Sequence, residues 1–289
     1  MARRKLTIVV TCTDRKAAAP CAGLMVRSLP TATVRERVDG WVGRLQGAQN
    51  TTRLLDLYKG ESWTQAKRLA ATAHATGFEP EVFVASAGLG LRSVNDFGPS
   101  YAATFAPGHA DSVVSATVES RVWWDHLPHA SVPQAGVLSI WVLSENYAQA
   151  MHADLQALDP SVALVFGGAH STPENSRIRS DRNLRAALGG TTTSLNTRMA
   201  TRWLELAAGR VPTSPDVRED WDRWAQGAQR SEQYNRRPLT DAGIRQLLET
   251  RFRLQPNLSK TTALRDLRAS GIACEQRRFS GLFEEARKA

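Results

Sequence analysis

Leu6–Cys12 reads LTIVVTC, an apolar and largely β-branched run that follows a basic start and leads into the polar stretch 13–16. Both faces of such a strand are apolar, which is typical of a strand buried inside a parallel sheet. Three later runs have the same character: Glu81–Ser86, Gly136–Leu143 and Ala163–Gly167. We therefore predict that these four runs are buried strands of one mostly parallel sheet.

Amphipathic helical patterns separate and follow the strands. They cover Val34–Leu45, Thr64–Ala75, Asn146–Leu158 and Ser194–Ala208. Strands that alternate with helices predict an α/β fold, here a three-layer sheet of mostly parallel strands with flanking helices. We assign residues 1–210 to this domain.

A Gly-, Pro- and Ser-containing stretch at 209–215 indicates a domain boundary. The remainder, 211–289, is predicted to be a small helical domain. Its helical patterns cover Val217–Gln229, Leu239–Arg253, Lys260–Ala269 and Ala273–Arg287. Ser270-Gly271 separates the last two helices, which gives this segment helix-turn-helix-like proportions.

Positive charge is the clearest indication of a partner. The net charge is +9 and the sequence pI is about 10.0, and Arg230 onward holds 13 Lys and Arg against 7 Asp and Glu. An excess of this kind predicts nucleic acid as the partner. Arg277 and Arg278 lie where a recognition helix reaches groove edges and phosphates. A plain helical hairpin with solvated arginines is the alternative.

Several classes of protein are disfavoured. Three cysteines without ligand spacing predict neither a disulfide framework nor a metal site. Neither a G-x-G-x-x-G nor a Walker-type loop is present, so no cofactor is expected. No apolar run reaches the roughly 18 residues of a membrane span, and the start lacks a signal-peptide pattern. We expect a cytoplasmic protein with no membrane partner and no obligatory protein partner.

The carboxyl ends of parallel strands meet at one edge of a sheet, where ligands bind in open α/β folds. After the first strand, Asp14 is a candidate base, and Arg15 and Lys16 are candidate phosphate ligands. A surface ion pair among the same three residues is the alternative.

The stretch after the second strand, 86–101, has the chemistry of a nucleobase pocket. Small residues at Ser86 and Gly88 would let a ligand approach the backbone. Further along the same stretch come an amide, a carboxylate and two aromatic rings: Asn95, Asp96, Phe97 and Tyr101. Aromatic faces stack a base, an amide reads its edge, and a carboxylate activates water or stabilises an oxocarbenium ion. The alternative is a turn in which Asn95-Asp96 cap a helix.

Three other loops contribute candidates. Glu61 and Trp63, after the turn at 58–60, are predicted to line the pocket, and His170 follows the fourth strand. The next loop carries three closely spaced arginines, which resemble a phosphate-contacting loop. They are Arg177, Arg179 and Arg182. A solvated charge run is the alternative for these arginines.

Four motifs in this order resemble a known family. TCTDRK (11–16), LYKGESW (57–63), SAGLGL (86–91) and PSY (99–101) are similar to the S-C-x-x-K, L-Y-x-G-x-x-W/F, S-A-x-x-G-L and P-Y-D motifs of YaaA-like proteins. The family is likened in fold to uracil-DNA glycosylases. Thr11 stands where the family has Ser, and Asp96 precedes the Pro-Tyr element. The whole chain also resembles anti-phage DNA glycosylases that excise glucosylated hydroxymethylcytosine.

The leading hypothesis is therefore a DNA glycosylase that hydrolyses the bond to a modified base in double-stranded phage DNA. Asp96 or Asp14 would be catalytic, Asn95 would read the base, and Phe97, Tyr101 or Trp63 would stack it. The defence role is implied by the resemblance alone. A non-catalytic nucleic-acid-binding or regulatory protein is the first alternative. A tRNA base-modifying transglycosylase is the second.

Overall fold

A computed structural model describes residues 3–49, 51–114, 116, 118–130, 136–231 and 237–288. The chain divides into two compact units, Met1–Arg230 and Ser231–Ala289. No helix in the described ranges has both the length and the apolar character that a membrane crossing demands. Each unit has a hydrophobic core of its own.

The first unit contains eight described strands and nine described α-helices. The strands are β1 (Arg4–Thr11), β2 (Thr52–Arg53), β3 (Phe78–Ser86), β4 (Gly90–Ser93), β5 (Phe97–Gly98), β6 (Leu138–Leu143), β7 (Ala163–Gly167) and β8 (Arg177–Ile178). The helices are α1 (Val34–Gln46), α2 (Leu54–Leu57), α3 (Glu61–Ala75), α4 (Glu119–His126), α5 (Glu145–Ala150), α6 (His152–Gln156), α7 (Arg185–Leu188), α8 (Leu195–Ala207) and α9 (Pro215–Ala228).

Six strands form the central sheet in the order β4-β3-β1-β6-β7-β8. All neighbours are parallel except β4, which runs antiparallel to β3. Val9 of β1 lies between Phe83 and Trp141, and residues 6–10 are buried. The predicted α/β fold with a mostly parallel sheet is confirmed, and β1 lies inside the sheet between β3 and β6.

Helices flank both faces of the sheet. Helices α3 and α8 pack together, and between them they contact β1, β3, β6 and β7. Parallel crossovers are right-handed, and the connections from β1 to β3 and from β3 to β6 run in opposite directions across the sheet, so α3, which leads into β3, and α4 lie on opposite faces. The second connection contains α4, which packs against α1 and α5.

Two predicted elements differ from the structure. The predicted helix Asn146–Leu158 is two helices, α5 and α6, because Met151 leaves the helical conformation while its side chain is fully buried. The stretch after Ser86 is not one long loop, because Gly90 begins β4. A φ of +75° at Gly90 and the carbonyl of Pro128 at the place of a Cβ explain why glycine is needed there.

The domain boundary lies later than predicted. Helix α9 belongs to the first unit, where Trp221 packs on Trp203 of α8 with ring centroids 5.4 Å apart. The Trp203 indole N–H also donates to the carbonyl of Pro212 inside the predicted linker, at 2.8 Å. The Pro- and Gly-containing stretch is thus a turn between two packed helices, and the division falls after Arg230.

The second unit has three described helices and a two-residue parallel ladder. They are β9 (Arg237–Pro238), α10 (Asp241–Leu254), α11 (Lys260–Ala269), β10 (Ile272–Ala273) and α12 (Gln276–Lys288). Helix α12 packs against both α10 and α11. Ala273, predicted to begin the last helix, pairs with Pro238 in the ladder instead. The connection between α11 and α12 is therefore longer than the three or four residues of a simple helix-turn-helix.

Candidate functional site

The parallel strands reverse their order between β1 and β6. The chain passes from β1 to its neighbour β3 and then crosses back to β6 on the other side of β1. A reversal of this kind leaves a crevice at the carboxyl ends of the two diverging strands. The residues that follow β1 and β6 therefore have the positions of a ligand site.

The loop after β1 is fixed by the segment before α3. Lys16 pairs with Tyr58 in an antiparallel bridge, and the Lys59 N–H donates to the Arg15 carbonyl at 2.9 Å. The Thr13 hydroxyl contacts the carbonyls of Arg15 and Lys59, each at 3.0 Å. These bonds explain why a loop with three charged residues in sequence has a defined path.

Lys16 turns back over this loop toward the interior. Its Nζ lies 3.3 Å from the carbonyl oxygens of Thr13 and Asp14. The same atom lies 4.2 Å from the centroid of the Tyr101 ring, a cation–π distance. Burial lowers the pKa of Lys16 from its ordinary value, although its electrostatic interactions with Cys12, Asp14 and Asp111 act to raise it.

Beneath Lys16 lies a chain of buried hydroxyls. The Ser86 Oγ accepts from the N–H groups of Gly88 and Leu89, at 3.1 and 2.9 Å, so its proton is left to donate to the Tyr101 Oη at 2.5 Å. Tyr101 in turn lies 2.9 Å from the Tyr58 Oη.

Tyr147, the third buried tyrosine, is on α5 directly after β6. Its Oη accepts from the Ala87 N–H at 3.2 Å and lies 3.0 Å from the Cys12 Sγ. Burial raises the pKa of all three tyrosines, Tyr58, Tyr101 and Tyr147, and a charge on Cys12 would raise it further. All three are therefore neutral hydroxyls at neutral pH. We call Tyr58, Tyr101 and Tyr147 the tyrosine cluster.

Tightly packed aromatic rings form the wall behind the tyrosine cluster. A Cβ on Gly88 would lie 2.4 Å from two atoms of the Tyr101 ring, so this glycine makes room for Tyr101. The indole N–H groups of Trp41 and Trp123 donate to the carbonyls of Gly88 and Ala87, at 2.7 and 2.8 Å. These contacts give Gly88 a packing role in place of the predicted approach of a ligand to its backbone.

Three other predicted substrate-binding residues are enclosed. Ser86 is fully buried, and Tyr101 and Trp63 are 1% and 3% exposed. The Trp63 indole N–H donates to the Leu55 carbonyl at 2.9 Å. Neither Tyr101 nor Trp63 presents a free ring face to which a base could stack.

Asn95, Asp96 and Phe97 do not join this site, because β4 carries the chain away from the carboxyl edge. Ser93 pairs with Phe83, three residues before the end of β3, so the residues after β4 lie roughly 10 Å from that end. The Asp96 carboxylate accepts from the Arg92 Nε at 2.8 Å. The Asn95 amide oxygen accepts from Arg53, and Phe97 is 62% exposed.

Glu61 is the first residue of α3. Arg198 of α8 donates to its carboxylate at 2.6 Å, and the Thr191 hydroxyl donates at 3.2 Å. Burial acts to raise the pKa of Glu61, but hydrogen bonds from Ser194, Arg198 and Thr191 outweigh it and hold that pKa below its ordinary value. Glu61 is therefore a charged link between two helices.

The predicted arginine loop has mixed roles. The Arg177 Nε donates to the Gly167 carbonyl at 2.8 Å and so ties β8 to the end of β7. Arg179 pairs with Glu174, while Arg182 and His170 are exposed. Arg182 and His170 thus have the free surface positions that a phosphate contact requires, and Arg177 does not.

The second unit presents a basic groove between α11 and α12, with a volume of about 590 Å³. Lys260, Arg265 and Arg268 line it. Arg277 is exposed on the first turn of α12. Arg278 is not free, because it contacts the Asp241 carboxylate at 2.7 Å and the Leu239 carbonyl at 2.8 Å.

Asp14 and Arg15 are exposed beside the half-buried Lys16. Sequence reasoning missed Tyr58 and Tyr147 as members of the site. For Tyr147 the usable signal was its position shortly after the predicted strand Gly136–Leu143, and for Tyr58 it was its place in the 57–63 motif. Among the described residues, no three His, Cys, Asp or Glu side chains come together as a metal site.

No protein family, curated protein or solved structure matches the chain.

Proposed function

We propose that the protein binds nucleic acid and hydrolyses the N-glycosidic bond of a modified nucleobase in DNA. The observation that carries the proposal is the position of the exposed Asp14 at the strand-order reversal, where its backbone carbonyl lies 3.3 Å from the Nζ of the half-buried Lys16. Glycosidic hydrolysis passes through an oxocarbenium-like state, which a carboxylate stabilises while it orients water. A flipped nucleotide would bring its C1′ to this edge of the sheet.

Within this proposal Asp14, and not Asp96, is the catalytic carboxylate. Asp96 is held by Arg92 on the far side of the β3–β4 hairpin. The tyrosine cluster supports the loop from below through Lys16. Phe97 remains the exposed aromatic candidate for contact with DNA, but away from Asp14.

In this proposal the second unit binds duplex DNA as a helix-turn-helix-like module. Lys260, Arg265 and Arg268 on the α11–α12 groove, together with Arg277, would contact phosphates. Defence of a cytoplasm against phage DNA with glucosylated hydroxymethylcytosine is the biological setting that the family resemblance suggests.

A non-catalytic DNA-binding protein is the second candidate. The enclosed rings of Tyr101 and Trp63 favour it, because a base-excising pocket needs an open stacking face. In that case the same basic groove would bind DNA without base release.

The test compares phage DNA that carries glucosylated hydroxymethylcytosine with unmodified DNA, each treated with alkali after incubation with the protein. We expect alkali-sensitive breaks in the modified DNA alone. Asp14→Asn should lower the rate of break formation by about 100-fold or more, as for loss of a catalytic acid–base group. Asp96→Asn, which removes the charge of a carboxylate away from the edge, should retain most of the activity.

Absence of breaks on either DNA, with DNA binding retained, would leave the non-catalytic candidate. Activity in Asp14→Asn together with its loss in Asp96→Asn would transfer the catalytic role to Asp96. Incorporation of a labelled free base into tRNA would support the transglycosylase alternative.

A further inference from the structure

We propose that Lys16 is an amine nucleophile toward an aldehyde sugar, which makes the protein an abasic-site lyase as well as a glycosidase. The inference rests on the proposed function, because the abasic sugar is the product of glycosidic hydrolysis. Its substrate class is DNA with a ring-opened deoxyribose aldehyde at C1′.

The position of Lys16 carries the inference. The backbone bridge to Tyr58 fixes the residue at the end of β1, where the strand order reverses. The nitrogen is held between two carbonyl oxygens and the Tyr101 ring, and no ion pair with it occurs in the described part of the chain. The two carbonyl oxygens and the ring face fix the position of the Lys16 Nζ at this edge of the sheet.

The surroundings also favour the reactive form. Half-burial over the Tyr101 ring removes water from the ammonium, and this desolvation lowers the pKa of Lys16. A lysine desolvated in this way has a larger fraction of free amine at neutral pH, and the free amine is the form that attacks a carbonyl carbon. Lys59, on the neighbouring segment, is exposed and lacks this environment.

The chemistry balances without a cofactor. The Lys16 amine attacks the C1′ aldehyde, and loss of one water gives an imine between Nζ and C1′. Removal of a C2′ proton then expels the 3′-phosphate by β-elimination, which breaks the strand. Water hydrolyses the imine, releases the unsaturated aldehyde and regenerates the amine. Asp14, two residues from Lys16 and exposed, is the group at this edge that can take the C2′ proton.

The experiment uses the full chain and a duplex oligonucleotide with one preformed abasic site, with sodium borohydride present to reduce the imine. We expect a covalent protein–DNA adduct, and peptide mapping by mass spectrometry should locate it on Lys16. Without borohydride, strand cleavage should occur at the abasic site. An absent adduct, or an adduct on another lysine or the N-terminus, would overturn the inference.

Three variants separate nucleophilicity from folding. Lys16→Arg keeps a cation over Tyr101 but should lose the adduct, since a guanidinium does not form this imine. Lys16→Met should lose it as well, while Lys59→Met, a change of the same kind at an exposed site, should retain the wild-type yield. An adduct that persists in Lys16→Arg would refute the assignment.

Because the abasic site is preformed, the lyase inference is tested independently of the proposed glycosidase function. Adduct formation without release of a modified base would mean that the proposed glycosidase function fails while Lys16 still acts on aldehydes. Base release that produces abasic sites, with no trapped adduct, would mean that the lyase inference alone fails.

Discussion

Gly88 is a residue whose small size indicates either a ligand site or close packing in the core, and the sequence alone does not distinguish the two. The sequence predicts a nucleobase pocket at 86–101, and in the structure Ser86 and Tyr101 of this stretch contact each other in the buried interior. Whether such residues are open or enclosed depends on the return of β4 along β3, which places a whole ring over Gly88. The spacing of residues along the sequence does not show that β4 folds back along β3.

Gly88→Ala should lower the free energy of unfolding by about 1–3 kcal/mol, the usual cost of overpacking a filled core. The added Cβ would meet the Tyr101 ring at 2.4 Å, and the surrounding indoles leave that ring little space to move. Chemical denaturation measures the change.

Gly23→Ala is the matched control. No atom lies within 4 Å of a Cβ at this position, so its stability should stay close to wild type. Equal stabilities for the two variants would contradict the packing role of Gly88.

Elements differ in how far the sequence predicts them. The four buried parallel strands are found within a few residues because their apolar, β-branched runs are continuous. Ala163–Gly167 is correct at both ends, and Phe78–Ser86 begins three residues before the prediction. The antiparallel strand Gly90–Ser93 is short and begins with glycine, so it lacks such a run, and its direction moves Asp96 out of the site.

The Glu61–Arg198 contact between α3 and α8 gives a pH prediction. The folded-state pKa of Glu61 lies below its ordinary value of 4.5, so its stabilising contribution is present above that value and is lost as the pH falls through the folded-state pKa. Glu61→Gln should cost less than about 1 kcal/mol at pH 7, because the pair is partly exposed.

The stability difference between wild type and Glu61→Gln should shrink as the pH is lowered below 4.5, which thermal melts at several pH values can follow. Glu79→Gln, an exposed carboxylate on β3, should show a smaller difference at pH 7. If the stability difference for Glu61→Gln instead grows toward acid pH, the charged form of Glu61 does not stabilise the fold.

The division of charge matters at the scale of the whole molecule. Arg230 onward carries 13 Lys and Arg against 7 Asp and Glu, and the structure adds which of these cations are already engaged. Arg278 is bound by Asp241, whereas Arg277 has no ion pair among the residues described. Sequence spacing made the two arginines equivalent because it does not show where α10 packs.

Arg277→Ala should weaken DNA binding and reduce the slope of log K against log salt by about one, the value for one lost phosphate contact. Its thermal stability should stay near wild type, because the side chain is exposed. Binding titrations at several salt concentrations measure the slope.

Arg278→Ala serves as the comparison. It should lower stability through loss of the contacts to Asp241 and Leu239. An unchanged salt slope in Arg277→Ala would remove α12 from the DNA contact.

The two edge strands of the central sheet also affect how copies of the protein associate in a crowded solution. One edge strand is β4, whose Leu91 already donates its N–H to the His129 ring and accepts the Ala130 N–H at its carbonyl. The other edge strand, β8, is only the two residues Arg177–Ile178. Open strand edges are the templates on which β-rich aggregates grow. The central sheet, as far as the structure describes it, therefore offers a neighbouring copy almost no ladder to extend, which favours colloidal stability at high concentration.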